Sequence, residues 1–582
     1  MIRRFPKTAA ITASAVAMGG LAAAGVLAAN SGSTPSTQTA RLSSNLTTTT
    51  YGTPIAGRHS LLISVDGLHA SDLAQYVKLN PNSNLAQLSH HGTTYPKALT
   101  TFPSDSFPGL VGLVSGGTPK QTGIFYDVSY NRALYAPGSN CIGTSGTIVA
   151  YDESADFSTS NLSGTTDPTK GFNGSAINPA NLPLAKSGTS CTPVYPNNYL
   201  LTNTIFEVAH NAGLYTAWSD KHPSYQILQG PDSLNPSGTP TINDLYTPEI
   251  NSTASSTNKL TVPFGPDNGT VIAGGGDFTQ SVDAAMAYDN TKVSAVLNEI
   301  NGLTSMGGTP TGGKKVPSIL GVNFQSVSVG QKVVTGGYYD NGTTFSPQLH
   351  LALDYVDNAV GQVVAALHKN GLLGSTQIVI TAKHGQSPTN RALDHRIVED
   401  NSTFSGSLAT GNESVVGFMN ANSAQPLAAE TSDDVSLDWW QNPITGPGNV
   451  VKALNTDPTQ ANILSIAHVY SGTELNTLFG TPSASTTYLD PGTRVPDVIV
   501  QPTKGVVYSL SEAKIAEHGG GTIDDRNVAL LVVNGAGSAH GHKVWDNVTT
   551  TQVAPTILNW LGLSPQSLTA VQQTHITVLP KH

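Results

Sequence analysis

His59 to Gly67 reads HSLLISVDG, a short apolar run closed by a carboxylate and a glycine. A continuous apolar run of this length, bounded by a turn signal, is the pattern of a strand buried on both faces of a parallel sheet. Gln377 to Thr381, QIVIT, repeats the pattern and runs into Lys383-His384-Gly385. Val498 to Val500 (VIV) and Val528 to Val533 (VALLVV) read as further strands. Helical spacing fills the intervals. It covers Asp283 to Ile300, Thr551 to Leu561 before Gly562, and Leu349 to Leu372, where Leu351, Leu353, Val356, Val360 and Val363-Val364 recur on one side. Strands alternating with helices imply an α/β sheet covered on both faces. Ligands of such sheets bind outside the C-terminal ends of strands. Asp66 and His384 stand at two such ends, far apart in sequence, and are expected to share a site.

Between these strands lies Pro103 to Asp127, PSDSFPGLVGLVSGGTPKQTGIFYD. Ser106 is followed by Phe-Pro-Gly, an apolar run from Leu110 to Val114, Ser115-Gly116, and Gly123-Ile124. This predicts a hydroxyl at the head of a buried helix. Free N–H groups and the helix dipole attract anions there, so Ser106 is a candidate nucleophile aimed at phosphate or sulfate. A plain N-cap serine gives the same local pattern.

The chain of 582 residues has a formal net charge of −10, with 11 % charged residues. That composition argues against a nucleic-acid-binding patch. Arg3, Arg4 and Lys7 precede a weakly apolar stretch from Thr8 to Ala29, so residues 1–29 read as a secretory signal, with an N-terminal membrane anchor as the alternative. Residues 30–57 read as a flexible Ser/Thr-rich linker. Residues 58–582 read as one catalytic domain, with loop-rich insertions near 128–260 and 400–490. No other long apolar run is present, so no stable membrane span is expected in the mature chain. Cys141 and Cys191 fit one disulfide in an exported, periplasmic or extracellular protein, against the alternative of two free thiols. Asn45, Asn161, Asn268 and Asn401 are glycosylation sequons that matter only in a eukaryotic host.

Four blocks together resemble the type I phosphodiesterase/nucleotide pyrophosphatase branch of the alkaline phosphatase superfamily. They are Ser64-Val65-Asp66-Gly67, the 103–127 stretch, Thr381-Ala382-Lys383-His384-Gly385, and Glu517-His518-Gly519-Gly520 with Asp525 and VALLVV following. The resemblance implies a three-layer αβα core with a mostly parallel sheet. It also implies an exported hydrolase of phosphodiester or pyrophosphate bonds in small phosphate esters, working through a phospho-enzyme. Thr101-Phe102-Pro103 also fits the family's hydroxyl-Phe-Pro nucleophile, but the downstream spacing favours Ser106, which places Asp127 where the family has an oxyanion-binding Asn.

The departures fall on the metal ligands. The family holds two zinc ions. The resemblance assigns Asp66, Ser106, His384 and His518 to metal binding, but the family's Asp before His384 is Lys383. Its Asp-x-x-x-His falls on Gln325 to Val329, and Val329 cannot ligate. The expectation is therefore fewer than two divalent ions, either one ion, with Asp127 as a further ligand, or none. In the second case Lys383 supplies the positive charge or acts as the base for Ser106. Asp127 and Gln325 are candidate substrate contacts. Asp220-Lys221-His222, after a strand beginning at Tyr215, is expected to line the pocket, with Asp220 and His222 as candidate substrate contacts, or to form a solvated turn. Asp354 and Asp357 are expected to face solvent, His540 and His542 to lie in a loop, and His69 to start a helix. A catalytically dead binding protein is the alternative from another class. A sulfatase or phosphonate hydrolase on the same core is a third reading, weakened because the Cys/Ser-x-Pro/Ala-x-Arg signature is absent at Ser106.

Overall fold

The computed structural model describes residues 51–151, 155, 177–231, 240–250, 260–272, 278–339, 342–398, 414–456, 464–509, 514–538 and 540–581. The expected signal, most of the linker and the sequons at Asn45, Asn161 and Asn401 lie outside the described residues. Within them, no helix is long and apolar enough to cross a membrane.

The main sheet runs, in spatial order, His542–Lys543, Thr93–Thr94, Leu530–Asn534, Thr376–Thr381, His59–Val65, Ile319–Phe324, Ala217–Ser219, Asp244–Tyr246. From Thr376–Thr381 to Asp244–Tyr246 the pairing is parallel throughout, and Leu530–Asn534 joins antiparallel. The central strands are apolar on both faces because each face carries helices. Leu62 and Val379 enter one core with residues of Ser106–Ser115, Ile205–Asn211 and Val553–Leu561. Leu61, Ile63, Ile378 and Ile380 enter the opposite core with Val282–Ile300 and Pro347–Lys369. That alternation with a period of two gives the expected three-layer αβα arrangement.

Several expectations need correction. Val498–Pro502 does not join the main sheet. It pairs with Ser436–Trp439 and Ile466–Ser471 in a separate four-stranded sheet completed by Ala429–Ser432. The described part of 400–490 therefore builds a second layer with its own core around Trp440, Phe418 and Tyr508; a short apolar run does not say which sheet it enters. The 128–260 stretch is likewise more than a surface insertion. Ala217–Ser219 and Asp244–Tyr246 form an edge of the main sheet, while two hairpins, Val128–Asn131 with Thr147–Ala150 and Leu184–Ser187 with Ser190–Pro193, lie outside it. Cys141 and Cys191 are joined across this region, with Cα atoms 5.8 Å apart. Finally, Asp357 is buried, accepting from the backbone N–H of Asn84 (3.1 Å) and Leu85 (2.7 Å). A carboxylate at the start of helix Asn84–His91 complements its dipole. Asp354 is half-buried and accepts from the Tyr76 hydroxyl. His69 is the N-cap of helix Ala70–Leu79, as expected, and exposed His542 sits in a two-residue edge strand rather than a loop.

Candidate active site

Ser106 opens helix Ser106–Ser115, all ten of whose residues are buried. Close approach to the sheet fixes its position. A Cβ on Gly109 would fall 2.0 Å from the Lys383 carbonyl oxygen, so only glycine lets the first turn rest on the end of Thr376–Thr381. Ser104 ties the preceding turn to the 519–525 segment. Its N–H donates to Gly520 O (3.0 Å), its carbonyl accepts from Gly519 N (2.8 Å) and its hydroxyl donates to Asp525 O (2.7 Å). A two-way backbone bridge between Ser387 and Glu517 then brings His518 against His384, with ring centroids 3.9 Å apart.

Asp66 is the hub of one side. It follows His59–Val65 and is fully buried. Its Oδ2 accepts from Gln325 Nε2 (2.6 Å) and lies 3.2 Å from Lys383 Nζ, 3.5 Å from Lys221 Nζ and 3.5 Å from His384 Nε2. Burial would raise the Asp66 carboxyl, but the Lys383 charge, with His384 and Lys221, holds it well below the ordinary carboxylate range. His384 Nδ1 donates to the Gly385 carbonyl (2.8 Å), and burial lowers its imidazole to about 4, leaving it neutral. Lys221 Nζ lies 3.4 Å from Ser106 Oγ. Burial, then the neighbouring Lys383 charge, lowers its ammonium to about 8, opposed by Asp66. Lys383 Nζ donates to the Tyr225 hydroxyl (2.8 Å), which is itself hydrogen-bonded with Ser106.

The other side is acidic. Asp105, the residue before Ser106, accepts from the Asp127 N–H (2.6 Å) and lies 2.9 Å from His518 Nδ1. Asp105, Asp127, Asp433 and Asp434 surround the buried Tyr126 hydroxyl, which is held well above the usual phenol range by burial and then by these charges. Asp434 and Asp525 are buried together. Burial raises both carboxyls, and the Asp525 charge raises Asp434 further, while a hydrogen bond with Asp434 opposes the rise at Asp525, so this pair holds a proton more readily than free carboxylates do. Ser387 Oγ donates to Asp434 (2.6 Å), and the Gly520 N–H donates to Asp525.

The structure thus brings Asp66, Ser106, Gln325, Lys383 and His384 together and places His518 against His384. Asp127 is half-buried on the acidic side. Asp220 and His222 have partners of their own. Asp220 accepts from Trp218 Nε1, Lys221 N and Asn323 Nδ2, and His222 pairs with Glu249 at 2.8 Å. Neither forms a solvated turn; both are buried and brace Lys221 between them. Among the described residues, no three His, Cys, Asp or Glu side chains are grouped so as to hold a metal ion. Sequence reasoning passed over Tyr225 and, within Asp220-Lys221-His222, did not single out Lys221. The signal for Lys221 was its place just past the C-terminal end of Ala217–Ser219. The chain bends at Lys221-His222, and Lys221 reaches Ser106 while its neighbours turn to Trp218, Asn323 and Glu249.

Residues 60–520 match the family model described as type I phosphodiesterase / nucleotide pyrophosphatase. No curated protein gives a significant match. Among solved structures, wild-type alkaline phosphatase PafA superposes over 88% of this chain and 96% of its own at 13% identity, with a TM-score of 0.52. Murine ectonucleotide pyrophosphatase / phosphodiesterase 5 aligns over 87% and 96% at 12% identity, with a TM-score of 0.48. The PafA likeness shows a shared fold. The family match runs from the first strand, through Ser106, Lys383 and His384, to Gly520. The chain therefore belongs to the type I phosphodiesterase / nucleotide pyrophosphatase family, a family of phosphoric ester hydrolases.

Proposed function

We propose that this protein is an exported hydrolase of phosphodiester or pyrophosphate bonds in which Ser106 is the nucleophile. The observation that carries the reading is Ser106 at the head of a buried helix, with an ammonium group 3.4 Å from its Oγ. The Oγ–P bond forms as the bond from phosphorus to the leaving oxygen breaks, and the Ser106 proton ends on that oxygen, directly or through water. Water then attacks the phosphoserine, releasing the phosphorylated product and restoring the hydroxyl. Lys383 supplies fixed positive charge where negative charge develops. Asp127 carries a negative charge near the incoming phosphate, which disfavours a dianionic monoester more than a monoanionic diester. The Cys141–Cys191 disulfide supports an oxidising, extracytoplasmic location.

Members of this family are metallohydrolases that use zinc-type divalent ions. The side chains here do not fit a two-metal centre. Gln325 turns its amide nitrogen, not its carbonyl, toward Asp66, and Val329 belongs to the apolar core. His518 is paired with Asp105. Asp66 Oδ1 and His384 Nε2 retain free lone pairs among the described residues, but two ammonium groups stand beside them. A divalent ion about 4 Å from one ammonium is repelled by roughly 8 kcal/mol at an effective dielectric near 20. No step above is therefore routed through a metal.

The test is hydrolysis of bis-p-nitrophenyl phosphate by wild type and Ser106→Ala, with mass spectrometry of the quenched enzyme for phosphoserine. Loss of turnover on the order of 10⁴-fold, with the modified peptide containing residue 106 in wild type only, is the expected result. Wild-type turnover in Ser106→Ala sinks the reading.

A further inference from the structure

The positive charge on the Asp66 side has a second source. Lys383 lies deepest, fully buried, with its Nζ on the Tyr225 hydroxyl and 4.8 Å from the centre of the Tyr225 ring. Lys221 approaches from the neighbouring sheet edge, its side chain 13% exposed, and reaches both Ser106 Oγ and Asp66 Oδ2. One carboxylate oxygen therefore faces two ammonium groups and also accepts from Gln325. Asp220, which acts on Lys221 from behind, is a second carboxylate on this side. The Lys221 ammonium itself lies within reach of the nucleophile, where an anion can settle against it.

We infer that Lys221 is a further catalytic residue, and that Lys221 and Lys383 together do for the transferring phosphoryl group what two divalent ions do elsewhere in the family, so that turnover needs no metal. This rests on the reading of Ser106 as nucleophile. The ligand is a tetrahedral oxyanion, a phosphate monoanion or the phosphoryl group of a diester. Lys221 takes one non-bridging oxygen and keeps Ser106 Oγ oriented, and Lys383 with Tyr225 closes the opposite side. As the Oγ–P bond forms and the P–O bond to the leaving group breaks, charge spreads over the non-bridging oxygens. Two fixed ammonium groups favour that state more than the ground state. The placement is supported from behind: Asp220 accepts from Lys221 N, and Trp218 and Asn323 hold the Asp220 carboxylate in turn. The chain on either side of the lysine is anchored, and only its ammonium is left to act.

The experiment uses the intact mature chain. Its metal content is measured by plasma mass spectrometry, and hydrolysis of bis-p-nitrophenyl phosphate is followed before and after exhaustive treatment with a chelator. Lys221→Met and Lys221→Arg are assayed beside wild type, and inorganic phosphate binding is measured by calorimetry. The expected result is unchanged turnover after chelation and a loss of about 10²–10³-fold in Lys221→Met. Partial rescue is expected in Lys221→Arg, and phosphate binding should be at least tenfold weaker in Lys221→Met but kept in Ser106→Ala. Turnover abolished by chelation and restored by zinc overturns the inference and leaves the Ser106 reading standing. So does full turnover with wild-type phosphate affinity in Lys221→Met. Wild-type turnover in Ser106→Ala removes the nucleophile instead, whatever chelation does. If Lys221→Met does not fold, Lys221→Arg and the chelation result decide.

Discussion

Two sides flank the Ser106 turn, and they solve opposite electrostatic problems. On the Asp66 side, one carboxylate meets two ammonium groups and a neutral imidazole. On the Tyr126 side, Asp105, Asp127, Asp433, Asp434 and Asp525 gather, with His518 beside Asp105 and His69 acting on Asp525. The first side carries the two ammonium groups that the proposed reaction offers to a substrate phosphate. The second is over-supplied with carboxylates and is kept in the fold by a shared proton and by backbone and hydroxyl donors. Cations at positions 221 and 383 and carboxylates at 105 and 127 put opposite charge on the two sides of the Ser106 turn.

The contrast breaks most sharply at Asp66. Asp66→Asn leaves Lys383 fully buried without its counter-charge. Removing one partner of a buried ion pair typically costs about 3–5 kcal/mol. Urea denaturation should show a loss of that size, and an unchanged midpoint would mean that the two sides are not distinguished by charge pairing at all. The next effect is at Lys383 itself. Lys383→Met keeps similar bulk, removes the fixed charge, and should lower diester turnover by about 10²–10³-fold. A fall in turnover with little change in KM would mark a charge that acts mainly in the transition state.

How much of this was legible beforehand follows from chain geometry. Asp66, Lys383 and His384 could be read because each follows a buried parallel strand, and strand C-terminal ends converge on one sheet edge. The helix behind Ser106 could be read from its apolar run and from the glycines that frame it. Lys221 could not be chosen over Asp220 and His222, since all three are polar residues after one strand and the bend that follows it decides which points at Ser106. Tyr225 lies in a short helical turn, Pro223–Gln229, that has no periodic signal. The second sheet was missed for a different reason. Val498–Pro502 looks in isolation like any buried strand, and its partners, Ser436–Trp439 and Ile466–Ser471, are short and rich in polar residues.

A smaller effect sharpens the comparison from the acidic side. Asp127→Asn removes one negative charge near the incoming phosphate. Like charges near one another at an effective dielectric near 20 interact by roughly 1–4 kcal/mol, depending on separation. A dianionic monoester carries one more charge than a diester, so the variant should gain about tenfold on p-nitrophenyl phosphate relative to bis-p-nitrophenyl phosphate. Equal changes on both substrates would show that Asp127 does not sense the charge of the phosphate.

The smallest effect comes from a buried acid that belongs to neither side. Glu299, on helix Val282–Ile300, is fully buried, and among the described residues neither carboxyl oxygen has a hydrogen-bond partner. Burial, then the nearby Asp244 charge, pushes its carboxyl well above the ordinary range. Among the described residues no lysine pairs with it as Lys383 does with Asp66, and its raised carboxyl favours the protonated form in the fold. The sign of the pH effect follows. With its carboxyl raised in the folded state, the folded chain binds a proton that the unfolded chain releases above about pH 4.3. Its contribution to stability is therefore complete at low pH and is lost as pH rises from there toward the raised folded value, by at most about 1.4 kcal/mol per pH unit. Glu299→Gln is neutral in both states. Denaturation at pH 5 and pH 8 should show a smaller loss across that interval in the variant than in wild type, and a variant at least as stable as wild type at pH 8. An identical slope in both would mean that Glu299 is ionised in the fold and that an unpaired buried carboxylate is tolerated there, which would remove the ground for treating the ammonium groups around Asp66 as a requirement rather than a coincidence.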